Sequence, residues 1–199
     1  MGNDLCAIIL AAGSSSRMGC PKLFLPWAGT TILGQVLSTF AAAGLQEVVV
    51  VTGASHSQVE SLTADLGGNT PIRTVFNPAH ADGQMLDSIK TGLSALDASS
   101  LAALIGLGDQ PQVQGETLRS IMAAFYRSSS PLVIPSYQNQ RGHPWLVARP
   151  LWQAILDLPA STTARQFLRL YSRSVEYVNA DESILQDVDT PDEYVRQRP

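Results

Sequence analysis

Leu5-Cys6-Ala7-Ile8-Ile9-Leu10-Ala11-Ala12-Gly13-Ser14-Ser15-Ser16-Arg17-Met18-Gly19-Cys20-Pro21-Lys22 changes character half-way along. Leu5 to Leu10 is short, apolar, partly β-branched and uncharged, the pattern of a buried strand. After it, two glycines, three serines, an arginine and a lysine fall within ten residues. Such a loop at the end of a buried strand presents free backbone N–H groups, hydroxyls and two cations. It suits anionic oxygens, above all a polyphosphate. Gly13 and Gly19 permit positive φ and close backbone approach. Arg17 offers phosphate a planar fork, and Lys22 a mobile point charge. The generic phosphate motifs do not apply. A Walker A loop needs Gly directly before Lys, whereas Cys20-Pro21 separate Gly19 from Lys22, and no G-x-G-x-x-G is present. A solvated Gly/Ser turn is the alternative reading of the bare loop.

The remaining chain repeats strand and helix signals. Glu47–Val51, Ile72–Phe76 and Leu101–Leu107 read as further buried strands. Helices are expected after Thr31, over 57–66 with Gly67-Gly68 as the stop, over 83–96 and over 117–126. Strands at 131–134, 145–147 and 175–178, helices at 151–156 and 164–171, and a final helix with Pro191 at its first position complete the chain. Residues 137–144 read as a polar connection. Continuous apolar strands alternating with amphipathic helices imply a three-layer αβα domain on a mostly parallel, Rossmann-like sheet. No linker divides residues 1–199, so one domain is expected. In such sheets ligands bind at the carboxyl ends of the strands. The clusters at 13–22, Thr52-Gly53-Ala54, Asn77-Pro78 and Gly108-Asp109-Gln110-Pro111 all lie at strand carboxyl ends.

Composition excludes several classes. A formal net charge of -4 argues against a general nucleic-acid binder, which would carry a basic stripe. No apolar run reaches the roughly 18 residues of a spanning helix. The opening Met1-Gly2-Asn3-Asp4 lacks a basic region and leads into a strand, so a signal peptide is not expected. Cys6 and Cys20, the only cysteines, make neither a disulfide framework nor a structural zinc site. A cytoplasmic location is expected.

From the residues alone, Asp109 either binds a metal or caps a turn through an Asx hydrogen bond. Asp187 and Asp189 share a face of an extended segment, or start the last helix. His56 and His80 are expected on solvated loops, and no histidine has a partner at metal-ligand spacing. Trp27, Trp145 and Trp152 read as core or interface.

Residues 10–22 resemble the signature of the MobA-like nucleotidyltransferases, Leu-Ala-(Ala/Gly)-Gly-x-Ser-x-Arg-Met-Gly-x-x-Lys. Ala12 makes the segment more similar to the molybdenum cofactor cytidylyltransferase branch, where the guanylyltransferase branch usually has Gly. Gly108–Pro111 resembles the family's Gly-Asp-Gln-Pro. Asp187-Val188-Asp189-Thr190-Pro191 resembles its Asp-(Ile/Val)-Asp-Thr-Pro. Asn77 with Gly83-Gln84-Met85-Leu86-Asp87-Ser88 resembles its segment before the third helix, and Gly142-His143-Pro144 its Gly-(His/Asn)-Pro.

The resemblance implies the fold of nucleotide-diphospho-sugar transferases and transfer of CMP from CTP to the terminal phosphate of molybdenum cofactor. It implies nucleotide contacts at Leu10, Ala11, Ala12, Gly13, Ser14, Ser16, Arg17, Lys22, Thr52, Gly53, Asn77, Gly83, Ser88 and Gly108. Arg17, Lys22 and Asp109 would act in catalysis. Mg2+, or Mn2+ in its place, would sit on Asp109 and Asp189, with Asp187 as the weaker candidate. Gln110, Pro111 and His143 would face the acceptor. It also implies docking on a molybdenum hydroxylase. GTP, another phosphate acceptor, or a carrier role without catalysis are the alternatives.

Overall fold

Continuous apolar runs alternate along the chain with amphipathic runs of period 3.6, and the backbone follows them. The computed structural model describes residues 4–64, 66, 68–128 and 130–199. The strands are β1 (Leu5–Ala11), β2 (Pro26–Trp27), β3 (Thr30–Thr31), β4 (Val48–Thr52), β5 (Ile72–Phe76), β6 (Ala102–Leu107), β7 (Leu132–Tyr137), β8 (Gln140–Arg141), β9 (Trp145–Ala148) and β10 (Val175–Asn179). The α-helices are α1 (Ile32–Ala41), α2 (His56–Ala64), α3 (Met85–Ala95), α4 (Gly115–Ser128), α5 (Trp152–Leu156), α6 (Ala164–Leu170) and α7 (Pro191–Gln197).

An eight-stranded sheet runs in the order β10-β7-β9-β6-β1-β4-β5, with β8 paired to β7. β5, β4, β1 and β6 are mutually parallel. β9 runs antiparallel between β6 and β7. Side chains alternate across the sheet. Ala7, Ile9 and Ala11 of β1 join Leu33, Leu37 and Phe40 of α1 and Leu118 and Ile121 of α4. Ile8 joins Leu86, Ile89 and Leu93 of α3 and Phe167 of α6 on the opposite face. Covering both faces explains why β1 and β4 carry continuous apolar sequence. The three-layer α/β expectation is borne out.

Helix α1 packs so closely on the sheet that Gly106 in β6 has no room for a side chain. A Cβ there would stand 2.5 Å from Phe40 Cζ and 3.1 Å from Ile9 Cδ1. Gly106→Ala is therefore expected to lower the unfolding free energy by about 1–3 kcal/mol through overpacking. Urea unfolding measures it; an unchanged midpoint would mean that Phe40 relaxes freely.

The structure differs from the sequence reading in places. Residues 137–144 are not a plain polar connection: β7 turns back through Gln138 (φ 47) and Asn139 (φ 64) to form β8. Two consecutive positive φ values make the tight hairpin turn whose twist matches the strands. Gln at the first position hid it. The helix read at 57–66 spans His56–Ala64; Gly67 of its stop and Met1–Asn3 lie outside the described residues. Gly19 has φ 72, but the positive φ in the middle of the first loop falls on Ser15 (φ 54), not on Gly13. Among the described residues, no helix is long and apolar enough to cross a membrane.

Candidate active site

Parallel register sets the level of the two central loops. Leu10 pairs with Leu107 across β1 and β6, so the loop after β1 and Asp109 after β6 emerge side by side. Gly108 N–H donates to Leu10 O at 3.0 Å. The C-terminal segment is bound to the same corner, because Val188 N–H donates to Asp109 O at 3.0 Å. A capping box fixes the next residues: Asp189 and Thr190 N–H donate to Glu193 Oε2 at 3.0 and 2.9 Å.

These constraints bring four charged groups together. Lys22 Nζ lies 2.6 Å from Asp109 Oδ2 and 2.6 Å from Asp189 Oδ1. Arg17 Nη2 lies 2.7 Å from Asp189 Oδ2. Lys22 is 8% exposed, held in a single 3-10 turn, Lys22–Phe24. Burial opposes its ammonium, but Asp109 and Asp189 more than offset that and raise its pKa above the ordinary lysine value. Burial likewise opposes the Asp189 carboxylate, and Lys22 and Arg17 outweigh it and lower the pKa. Asp187 goes the other way: burial first and the charge of Asp109 second raise its pKa, although Gln110 Nε2 donates to its Oδ1 at 2.7 Å. Asp189, not Asp187, thus shares a cation with Asp109.

The loop is held in shape by its own polar atoms. Met18 N–H donates to Ser15 O at 3.0 Å, and Lys22 N–H to Ser15 Oγ at 3.4 Å. Met18 is buried and anchors the loop to the core. Around it lies a cavity of about 240 Å³ lined by Leu10, Ala11, Gly13, Ser14, Ser15, Ser16, Arg17, Lys22, Asp109 and Asp189. Ser15 is absent from the contacts expected from the sequence, although it is the serine the signature fixes.

A second cavity of about 310 Å³ adjoins the first and shares Leu10, Gly13, Arg17, Asp109 and Asp189 with it. Ala12, Asn77, Gly83, Ser88 and Asp187 line it too, together with His80, Gln84 and Met85. Asn77 organises this wall. Its Oδ1 accepts from Ala79 N–H at 2.9 Å, and its Nδ2 donates to Ser88 Oγ at 3.0 Å. His80 therefore faces a cavity rather than open solvent, with its Nδ1 3.0 Å from Asn77 O and its ring edge-on to Phe76. Its position depends on Gly53, where a Cβ would meet Ala12 O at 2.5 Å and His80 Cβ at 2.8 Å. Thr52 and Gly53 do not line either cavity; Thr52 is fully buried and its Oγ1 lies 2.6 Å from His56 Nδ1. His56 starts α2 and is thus tied down, not free on a loop.

The three residues expected to face the acceptor lie apart from these cavities. Gln110 is buried, and its Nε2 donates to Asp187 Oδ1 and to Ile184 O. Pro111 lines a separate hollow with Trp27, Gln112 and Ser183. His143 stacks on Trp145 at 4.5 Å between ring centroids, and its backbone N–H donates to Ile184 O at 3.2 Å. Its Nε2 is buried without a hydrogen-bond partner, and burial pushes its pKa down to about 4.

Among the described residues no three His, Cys, Asp or Glu side chains converge as a metal cage. Two carboxylates converging on one ammonium are nonetheless a hard-oxygen donor pair. They fit a small divalent cation that fills its remaining positions with water and phosphate. The arrangement sets two cations suited to an oligophosphate and two carboxylates suited to a metal side by side in the lining of one cavity.

Residues 7–177 match the model of the MobA-like NTP transferase domain. The chain is 31% identical over 189 residues to the molybdenum cofactor cytidylyltransferase of Escherichia coli (strain K12), covering 94% of this chain and 92% of that one. It is also 31% identical over 202 residues to the nicotine blue oxidoreductase of Paenarthrobacter nicotinovorans, covering 95% and 94%. Among solved structures it resembles Rv0371c of Mycobacterium tuberculosis H37Rv, determined in complex with manganese, with a TM-score of 0.75, 27% identity and 97% of each chain covered. The chain belongs to the MobA-like NTP transferase family.

Proposed function

We propose that the protein transfers CMP from CTP to the terminal phosphate of molybdenum cofactor and releases pyrophosphate. The observation that carries this reading is the meeting of Arg17 and Lys22 with Asp109 and Asp189 at the mouth of the serine-lined cavity. The similarity to a cytidylyltransferase over 94% of the chain supports the choice of base and acceptor.

In this reading the triphosphate lies on the loop after β1. Gly13 leaves open space there, since nothing lies within 4 Å of a Cβ at that position. Ser14, Ser15 and Ser16 supply donors to phosphate oxygens. Arg17 and Lys22 stabilise the charge that grows on the α-phosphate and the leaving pyrophosphate. The nucleoside extends into the second cavity, between Ala12, His80 and Ser88. Bound to Asp109 and Asp189, Mg2+ or Mn2+ supplies charge neutralisation and orients the phosphate oxygens. The nucleophile is a phosphate monoester whose second pKa is about 6. It is already largely ionised near neutral pH, so no side chain has to remove a proton. Gln110 holds Asp187 and the Ile184 segment in place behind the site, while an acceptor role for Pro111 and the buried His143 rests on the resemblance alone. A cytoplasmic enzyme that hands its product to a molybdenum hydroxylase completes the proposal.

The similarity to a nicotine blue oxidoreductase supports a second reading, in which the scaffold serves an oxidoreductase role instead. A thermal-shift panel of CTP, GTP, ATP and UTP, each with and without Mg2+, tests the first. A nucleotide at about 100 times its dissociation constant stabilises the fold by about 2.7 kcal/mol. A magnesium-dependent shift with CTP alone, followed by pyrophosphate release in the presence of molybdenum cofactor, is the expected result. A shift with GTP alone would move the protein to guanylyl transfer. No release with any nucleotide would overturn the proposal.

A further inference from the structure

Both carboxylates assigned above to a divalent cation already hold cations of the chain itself. Lys22 Nζ bridges Asp109 Oδ2 and Asp189 Oδ1 at 2.6 Å each, and Arg17 takes Asp189 Oδ2. Lys22 comes from the first loop, 87 and 167 residues away in sequence from its two partners. Its ammonium sits between one oxygen of each carboxylate. Arg17 differs from it: its side chain is 69% exposed and, among the described residues, its ion pair is with Asp189.

We propose that Lys22 is the resident counter-ion of the Asp109–Asp189 pair in the nucleotide-free protein, and that it must leave the pair before a divalent cation can bind there. The inference rests on the proposed nucleotidyl transfer for the identity of the cation. It deepens that reading by assigning Lys22 two successive partners.

The reason is steric and electrostatic. An ammonium within 2.6 Å of both carboxylates fills the position that a cation bridging them would take. The two positive charges would also repel at contact distance. A buried ammonium does not leave an anion for nothing. The nearest destination is the adjoining cavity, which Lys22 itself lines together with the loop serines and Gly13. A triphosphate seated there would draw Lys22 away and free the carboxylates in the same movement. Metal and nucleotide affinities are then linked, with each ligand tightening the other by the same factor. Two carboxylates face two cations without ligand; the metal replaces Lys22 when the triphosphate takes it.

The test is Mn2+ alone, titrated by electron paramagnetic resonance into the wild-type chain, Lys22→Met and Arg17→Met without nucleotide. Lys22→Met keeps an unbranched side chain out to the ε position and removes the counter-ion. Lys22→Met is expected to bind Mn2+ at least tenfold more tightly than wild type. Arg17→Met, which removes the same charge from beside only one carboxylate, should gain no more than about threefold. Unchanged Mn2+ affinity in Lys22→Met would overturn the proposal, as would equal gains in both variants, which would reflect overall charge and not occupancy. If Lys22→Met does not fold, Lys22→Gln is read by the same criteria. The readout is independent of turnover. A protein that releases pyrophosphate but shows no gain in Lys22→Met loses this inference alone. One that shows the gain but transfers no nucleotide keeps it and loses the proposed function.

Discussion

Asp109→Asn is expected to lower nucleotidyl transfer more than a hundredfold while leaving the fold intact. The substitution is nearly isosteric. Its two consequences follow from what Asp109 touches. On the folding side, Asp109 Oδ2 meets only Lys22, and Lys22 keeps Asp189 at 2.6 Å when that contact weakens. The backbone contact that ties the C-terminal segment to this corner, Val188 N–H to Asp109 O, does not involve the side chain. Stability should therefore fall by no more than about 1 kcal/mol, the scale of a partly exposed ion pair. On the catalytic side, an amide carries no charge to set against a divalent cation. One preorganised electrostatic contact of this kind is worth about 3 kcal/mol in the transition state, or more than a hundredfold in rate. Asp187→Asn is the comparator. That carboxyl already has a raised pKa and is engaged by Gln110, so its loss should cost less than tenfold. Pyrophosphate release under saturating nucleotide, with urea unfolding alongside, separates the two. Equal turnover in Asp109→Asn and wild type would remove Asp109 from the mechanism. A larger loss in Asp187→Asn would move the role to Asp187.

The parts of this site that the sequence discloses are those whose geometry is local. A buried strand followed by Gly13 to Lys22 announces an anion loop, because the strand fixes its exit and the loop residues sit next to one another. Gly108-Asp109 and Asp187-Val188-Asp189 are legible for the same reason, each being a short segment next to a strand or a helix cap. Pairings made across the fold are not legible. Nothing in the chain announces that Lys22 spans to residues 87 and 167 positions away; that depends on the register of β1 against β6 and on one hydrogen bond from Val188. By its local sequence, His80 reads as lying on a solvated loop. It faces the second cavity because Gly53 lacks a side chain, and a residue 27 positions upstream carries no visible link to it. The β7–β8 hairpin escaped because Gln138 and Asn139 lack the glycine that normally marks such a turn. Composition does not tell three consecutive serines apart, although the signature fixes Ser15. Its φ of 54 and its bond to the Lys22 amide set it apart.

Acidification should destabilise the wild-type chain through His143, and His143→Gln should remove that part of the loss. The imidazole stacks on Trp145 and buries Nε2 with no acceptor in reach. Protonation would place a charge there without a partner, so burial lowers the pKa from 6.5 to about 4. In the unfolded chain the same imidazole titrates near its ordinary value of about 6.5. Between the two values the unfolded state binds a proton and the folded state does not, so unfolding is favoured as pH falls. The stability held by neutral His143 is complete above about pH 6.5 and declines as pH falls towards 4. At about 1.4 kcal/mol per pH unit, this gap amounts to about 3 kcal/mol at most. Asp189, whose pKa is lowered by Lys22 and Arg17, also loses stability on acidification, but at lower pH and equally in both proteins. The difference between wild type and His143→Gln therefore isolates the imidazole. Urea unfolding at pH 7.5, 6, 5 and 4.5 should show the two stability curves converging as the wild type falls faster. Parallel curves would mean that His143 titrates normally in the folded chain and that its ring is open to water. A His143 that stays neutral and buried down to pH 5 adds no positive charge to this end of the sheet, and that leaves Arg17 and Lys22 to carry it.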